Sequence, residues 1–439
     1  MDYGAWVGVW TFIGMFVFLM LGVPIFICLL AAAFVGSLLI GGLTYTLQQF
    51  ASAPYHITAS YLFAVVPLFM LMSTLAVNCG IAQNAYDTAR KWLGGFRGGL
   101  LMVTVGAAGI FGAACGSSIA TSAVFAKMAL PELKKYKYDR SLSMGCIAAG
   151  GTLDALVPPN VGTVIVCILV DASIGKALVG GIIPAIIYAL FLITTIQIIG
   201  YFKPTAVPKL DIKVSWGERF SSLVLIVPVL FIVLLIIGGM YLGVFPPTVG
   251  GAIGSVGVLL IAVFRRVGIK TIGNGFYEAV LLNAQLFPII ISGFLFARFI
   301  AVCGLPKILL QVVIAAHFPP LMVMLLVIIF YLFIGCVLEF MSMAVITLPL
   351  VYPLLLGVGF DPIATIIIIV FLSEVALLTP PIGMSAFTVA GIAGVSPEVV
   401  FRGILPYFIV CLVLLWLMVF FPQIVTWLPN LFYGRLAGG

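Results

Sequence analysis

Long apolar blocks, separated by short polar stretches, set the pattern of this chain. They fall at 5–22, 24–42, 60–78, 98–135, 141–170, 177–200, 222–243, 247–264, 279–302, 320–357, 361–390 and 400–424. Apolar and polar positions do not alternate within them, unlike the ~10-residue strands of a membrane β-barrel. A bilayer core takes roughly 20 apolar residues to cross as a helix, so the pattern predicts an all-α polytopic membrane protein. Composition agrees: of 439 residues 64% are hydrophobic and 8% charged, with mean hydropathy +1.33. Asp2 stands near the start and the first basic residue is Arg90, so the basic region of a cleavable signal is not apparent. Eight cysteines are scattered without a CxxC pair, which predicts small apolar packing residues.

The basic residues turn these blocks into a topology. Fifteen of the twenty fall at Arg90, Lys91 and Arg97; at Lys134, Lys135, Lys137 and Arg140; at Lys203, Lys209, Lys213 and Arg219; at Arg265, Arg266 and Lys270; and at Arg402. Loops rich in Lys and Arg stay cytoplasmic. Only Lys176, Lys307 and Arg435 then fall in outer loops, while Lys127 and Arg298 sit within apolar blocks. No basic patch interleaves with aromatics outside the membrane, so the +7 charge marks loop anchoring and not nucleic-acid binding. The stretch 203–219 is the one sizeable polar linker and divides the chain in two.

The halves echo one another. Shifted by 222 positions, Pro131 falls on Pro353, Asp139 on Asp361, Pro158 and Pro159 on Pro380 and Pro381, Gly181 on Gly403, and Pro184 on Pro406. Upstream, Cys79-Gly80-Ile81 echoes Cys303-Gly304-Leu305 with a small offset; the first lies inside and the second outside, so the copies are expected to be inverted. GTLDALVPPN (151–160) and SEVALLTPPIGM (373–384) are helix-breaking stretches at matching points of two membrane-length blocks. Unwound backbone at membrane depth is tolerated only where it is buried in protein or lines a cavity. Matched breaks in inverted halves are where transporters bind substrate and coupling ions. Blocks 98–135 and 320–357 are read as re-entrant hairpins with tips at CGSSIATS and GCVLEFMS, where freed helix ends present donors and carbonyls.

GSSIATSA with MALPEL, GTL…PPN, GC.LE, SEVALLTPPIG and GVSPEVVFRGILPYF together resemble the large membrane subunit (DctM family) of tripartite ATP-independent periplasmic (TRAP) transporters, over nearly the whole chain. The resemblance implies a sodium-driven, elevator-type secondary transporter in the bacterial inner membrane. It implies a small four-helix membrane subunit and a periplasmic substrate-binding protein as partners, and organic acids such as C4-dicarboxylates, sialic acid, 2-oxo acids or sulfonates as substrates. Residues 1–58 and 220–274 would be scaffold helices, 59–202 and 275–424 the repeats, 203–219 a cytoplasmic linker and 425–439 a tail. One sodium site would use Gly116, Ser117 and the backbone at Asp154, Val157 and Pro159; the repeat offset carries it to Glu339, Ala376, Thr379 and Pro381. Where the family pattern reads GTLGILIPPS, this chain has Asp154 for a glycine and Asn160 for a serine.

Lys127, Ser118, Asn160 and Arg298 are the candidates for substrate contact. An ionised carboxylate at a midplane break is expensive unless paired, so Asp154 is expected either to face a cation or to pair with Lys127. Lys127 either faces the substrate anion or snorkels to the cytoplasm, and Arg298 either snorkels outward or contacts an anion. Glu339 and Glu374 flank the second tip and break, beside an ion or in structural hydrogen bonds, and proton coupling through either stays open. Ser117, Ser118, Thr121 and Ser122 are suited to ion contact or to capping the second limb. His56 and His317 read as packing residues. No GxxxxGK[ST], HExxH or GxSxG motif is present, against direct ATP use and against an intramembrane enzyme. The alternatives are a stand-alone symporter or antiporter of a related inverted-repeat fold, and a channel, which two matched breaks disfavour.

Overall fold

A computed structural model describes residues 3–209 and 214–433. The expectations resting on Lys213 and Arg435 lie outside the described residues. The first half runs α1 (Tyr3–Met20), α2 (Ile25–Thr58), α3 (Val65–Asn78), α4 (Ile81–Leu93), α5 (Gly99–Cys115), α6 (Ser118–Lys135), α7 (Arg140–Gly151), a 3₁₀ turn (Thr152–Ala155), α8 (Val161–Leu169), α9 (Ile174–Gly180) and α10 (Ile182–Phe202). The second runs α11 (Trp216–Tyr241), α12 (Pro247–Phe264), α13 (Ile269–Val302), α14 (Leu305–Ala315), α15 (Pro320–Ile334), α16 (Phe340–Gly357), α17 (Pro362–Ala376), α18 (Met384–Ala393), α19 (Pro397–Phe420) and α20 (Gln423–Tyr433). Among the described residues, nine helices are long and apolar enough to cross a membrane.

The same succession of short helix, two-limbed hairpin and interrupted helix occurs twice, and matching residues start its parts. Gly80 and Gly304, both left-handed at φ 73°, precede the short helices α4 and α14. Ser117 and Glu339, 222 positions apart, cap the second hairpin limbs by accepting from the Ala120 and Ser342 amides. Asp139 and Asp361, at the same spacing, cap the interrupted helices. Each cap satisfies amide donors that a helix start leaves free. Both double prolines, Pro158-Pro159 and Pro380-Pro381, carry cis peptide bonds.

Three boundaries depart furthest from the apolar pattern. The block read as 24–42 continues as helix to Thr58, with non-helical backbone at Gly42 (φ 76°) and Pro54 inside. The block read as 279–302 begins at Ile269. The tail from 425 continues α20, begun at Gln423, which is helical as far as Tyr433.

Burial separates centre from periphery. In α17 every side chain from Ala364 to Ala376 is buried, and in α7 every residue from Ser143 to Gly151. By contrast α1, α2, α10 and α11 leave many large apolar side chains exposed, as helices do when lipid is their solvent. At the crossing of α7 and α19, a Cβ on Gly403 would lie 1.8 Å from the Ser141 carbonyl oxygen, so only glycine admits this approach.

Hydrogen bonds tie the basic segments together at one end. Asp139 N donates to Ala206 O (2.9 Å) and Tyr138 Oη to Pro208 O (3.0 Å). Arg97 reaches Gly200 O, Trp92 reaches Arg219 O, Arg265 reaches Leu225 O, and Arg140 reaches Ala393 O. The loops that carry the basic clusters therefore share one face of the molecule.

Candidate ion and substrate site

Each hairpin tip touches the break of its own half. In the first, α5 ends at left-handed Gly116 (φ 66°), and a Cβ there would lie 3.1 Å from the Val161 side chain at the start of α8. Ser117 Oγ accepts from Ala120 N (3.4 Å) and opens α6. The 3₁₀ turn packs against both limbs. A Cβ at Gly112 would lie 3.3 Å from Asp154 Oδ1, so the glycine leaves room for that carboxylate. Asp154 is fully buried, and neither of its carboxylate oxygens has a hydrogen-bond partner among the described residues. Beyond it the carbonyls of Val157 and Pro159 accept no hydrogen bond from the described residues.

In the second half, a Cβ on Gly335 would lie 2.3 Å from Ala376 Cβ, and Cys336 Sγ approaches Pro380 O at 3.5 Å. Glu339 Oε1 accepts from Ser342 N (3.0 Å) and Ser342 Oγ (2.9 Å). The Ala376 carbonyl accepts from Thr379 N (3.1 Å), and Thr379 Oγ1 donates to Val375 O. The Pro381 carbonyl accepts no hydrogen bond from the described residues.

The structure thus sets Gly112 and Gly116 of the first tip against Asp154 and Val161 of the first break, and Gly335 and Cys336 of the second tip against Ala376, Thr379 and Pro380 of the second. The four residues expected to contact substrate are dispersed. Asn160 is engaged by its own turn: Oδ1 accepts from Thr163 N (2.7 Å), capping α8, and Nδ2 donates to Asp154 O (3.0 Å). Ser118 Oγ donates to Glu374 Oε2 at 2.5 Å, with both residues buried, so its hydroxyl joins the first hairpin to the second interrupted helix. Arg298 donates to Gln49 Oε1 (2.7 Å), linking α13 to α2 and not to either hairpin. The expected Asp154–Lys127 pair does not form, because Lys127 is exposed on α6 and Asp154 is enclosed. Lys127 instead lines a cavity of about 580 Å³ between α6, α7 and α18, with Lys134, Arg140, Tyr138 and Ser143 and no carboxylate. An ion pair, Arg90 with Glu132 at 2.8 Å, holds α4 to α6.

The Ser118–Glu374 contact was missed from the sequence. Its partners stand 256 positions apart, and no local pattern points from one to the other. Its only signal was a polar residue at each tip or break.

Chemically, the junctions offer uncharged and anionic oxygens, a donor set for a hard cation. The basic cavity offers charge to an anion. The family model described as "Tripartite ATP-independent periplasmic transporter, DctM component" matches residues 12–424. The chain is 28% identical over 388 residues to the C4-dicarboxylate TRAP transporter large permease protein DctM of Pseudomonas aeruginosa, covering 88% of this chain and 90% of the relative. It is 28% identical over 428 residues to the ectoine/5-hydroxyectoine TRAP transporter large permease protein UehC of Ruegeria pomeroyi, covering 97% and 99%. The fold is similar to that of the Alcanivorax borkumensis YdaH transporter, with TM-score 0.59 and 16% identity, covering 87% of this chain and 90% of that one. These sequence relatives are permeases and not enzymes. With a match over nearly its whole length, this multi-pass membrane protein belongs to the DctM family of TRAP transporter large permease subunits.

Proposed function

We propose that this subunit imports a small organic acid, a carboxylate or sulfonate, across the bacterial inner membrane by coupling to sodium. A periplasmic binding protein delivers the substrate, and a small four-helix membrane subunit completes the permease. The observation that carries the reading is the pair of tip-and-break junctions, where the carbonyls of buried Pro159 and half-buried Val157 accept no hydrogen bond and that of Pro381, at the exposed second break, accepts none either. Unpaired backbone oxygens are costly away from water, and a dehydrated sodium ion is a partner that removes the cost. Gly116, Ser117, Asp154, Val157 and Pro159 would hold one ion, and Glu339, Ala376, Thr379 and Pro381 a second. Bound sodium supplies positive charge to these oxygens, and its inward gradient supplies the driving force.

The chain's own residues do the rest. Gly116 and Gly335 let the tips approach the breaks, and Ser117 and Glu339 fix where the second limbs start. Ser118–Glu374 holds the two junctions together, so the hairpins and interrupted helices move as one body against a scaffold of α1–α3 and α11–α13. Helices α4 and α14 connect body and scaffold. Lys127, Lys134 and Arg140 offer an anionic substrate a basic exit on the cytoplasmic side. Linkage requires that sodium bind better with substrate present, and the reverse.

The test is uptake into proteoliposomes holding both membrane subunits, with the loaded binding protein outside. Uptake is expected to require an inward sodium gradient and the binding protein. Equal uptake with choline in place of sodium would refute the coupling, and uptake without binding protein would point to a stand-alone symporter. Lys127→Ala is expected to slow uptake at least fivefold without changing its sodium dependence.

A further inference from the structure

Asp154 is 0% exposed and both carboxylate oxygens lack a hydrogen-bond partner. Two further buried oxygens lie on the adjoining start of α6 in the same state, Thr121 Oγ1 and Ser122 Oγ. The packing there is tight. A Cβ on Gly151, three residues before Asp154, would lie 2.0 Å from Ser122 Oγ, and one on Gly112 would lie 3.1 Å from Asp154 Cβ. Asn160 Nδ2 anchors the Asp154 carbonyl, which fixes the turn and with it the carboxylate.

A lone ionised carboxylate in such a place costs several kcal/mol unless something compensates it. No basic side chain does. Lys127 is exposed on its own cavity, and the neighbouring acid Glu374 already accepts from Ser118. A protonated carboxyl would carry a hydroxyl donor needing an acceptor, and neither carboxylate oxygen makes a hydrogen bond with the described residues. Oxygens that share a cation, by contrast, lie beyond hydrogen-bond distance of one another.

We propose that Asp154 gives its carboxylate, and not only its backbone oxygen, to a monovalent cation at the first junction, with the Thr121 and Ser122 hydroxyls as neutral partners. The inference rests on the ion-coupled reading above and adds a charge to it. A site of carbonyls alone moves with the full charge of its ion. With Asp154 as ligand the loaded site is neutral and the empty one carries one negative charge, so the ion and not the protein charge decides when the body crosses the low-dielectric layer.

The test uses the full chain with its small subunit in lipid nanodiscs. Binding of ²²Na⁺ and the thermal unfolding midpoint are followed as sodium chloride replaces choline chloride at constant ionic strength. Asp154→Asn is expected to lose one bound sodium or to weaken one site at least tenfold, and Thr121→Val to weaken the same site severalfold. Wild-type stoichiometry and affinity in Asp154→Asn would overturn this inference and leave the sodium reading standing. Failure of the wild type to bind sodium, lithium or potassium would overturn both. Stabilisation of the wild type by acid alone, lost in Asp154→Asn, would show a proton in place of the cation and overturn it as well. Should Asp154→Asn not fold, unchanged binding in Thr121→Val together with Ser122→Ala overturns the site.

Discussion

A side chain that donates and accepts within its own turn has little left for a ligand. Asn160 is such a residue: it caps α8 and holds the Asp154 carbonyl. Asn160→Ala removes the cap, at about 1 kcal/mol, and leaves a buried carbonyl unpaired, at about 1–3 kcal/mol. The thermal unfolding midpoint should therefore fall by an amount equivalent to roughly 2–4 kcal/mol. Asn160→Ser keeps an oxygen for the cap and should recover about 1 kcal/mol of that loss. A loss of substrate affinity with unchanged stability would return Asn160 to the substrate pocket. The sequence marked this position as unusual but could not say which way the amide turns. That direction depends on the fold of the 3₁₀ turn behind it. Ser118 was read from its place at a tip, and its partner Glu374 comes from the other half of the chain.

At the level of elements, glycine contacts decide how closely helices cross. Gly403 on α19 meets the Ser141 backbone so closely that a methyl group has no room. Gly403→Ala should cost about 1–3 kcal/mol by overpacking, read as a lower unfolding midpoint. Gly391, whose Cβ would meet nothing within 4 Å, is the control: Gly391→Ala should be neutral or better. Hairpins and interruptions were legible because glycine, proline and small hydroxyl residues stand in otherwise apolar blocks, and those residues act locally. Helix ends in polar sequence were not legible. Helix α2 runs on through Gln48 and Gln49 because backbone hydrogen bonding needs no apolar face, and Gln49 is held by Arg298 from α13. Hydropathy reports where lipid is, and a helix that continues past the lipid gives no such signal. The Gly403 contact was likewise hidden, since the shift of 222 paired it with Gly181 and not with its spatial neighbour Ser141.

For the whole molecule the open matter is orientation, because two similar halves can lie parallel or inverted. The basic loops share one face, which the distribution of Lys and Arg assigns to the cytoplasm. The short helix α4 ends there, with Arg90 and Lys91 in its last turn, while α14 has no basic residue in its last turn and carries Lys307 near its start. Gln83 and Lys307 both stand three residues after the left-handed glycines Gly80 and Gly304, and both are exposed. All eight native cysteines are buried, so an introduced thiol can be read above a low background. Lys307→Cys should react with a membrane-impermeant maleimide in intact spheroplasts, and Gln83→Cys only after permeabilisation. Labelling of both from the same side would make the halves parallel. It would also remove the physical basis for the two junctions serving as matched ends of one alternating-access site, because alternation relies on equivalent parts that face opposite compartments.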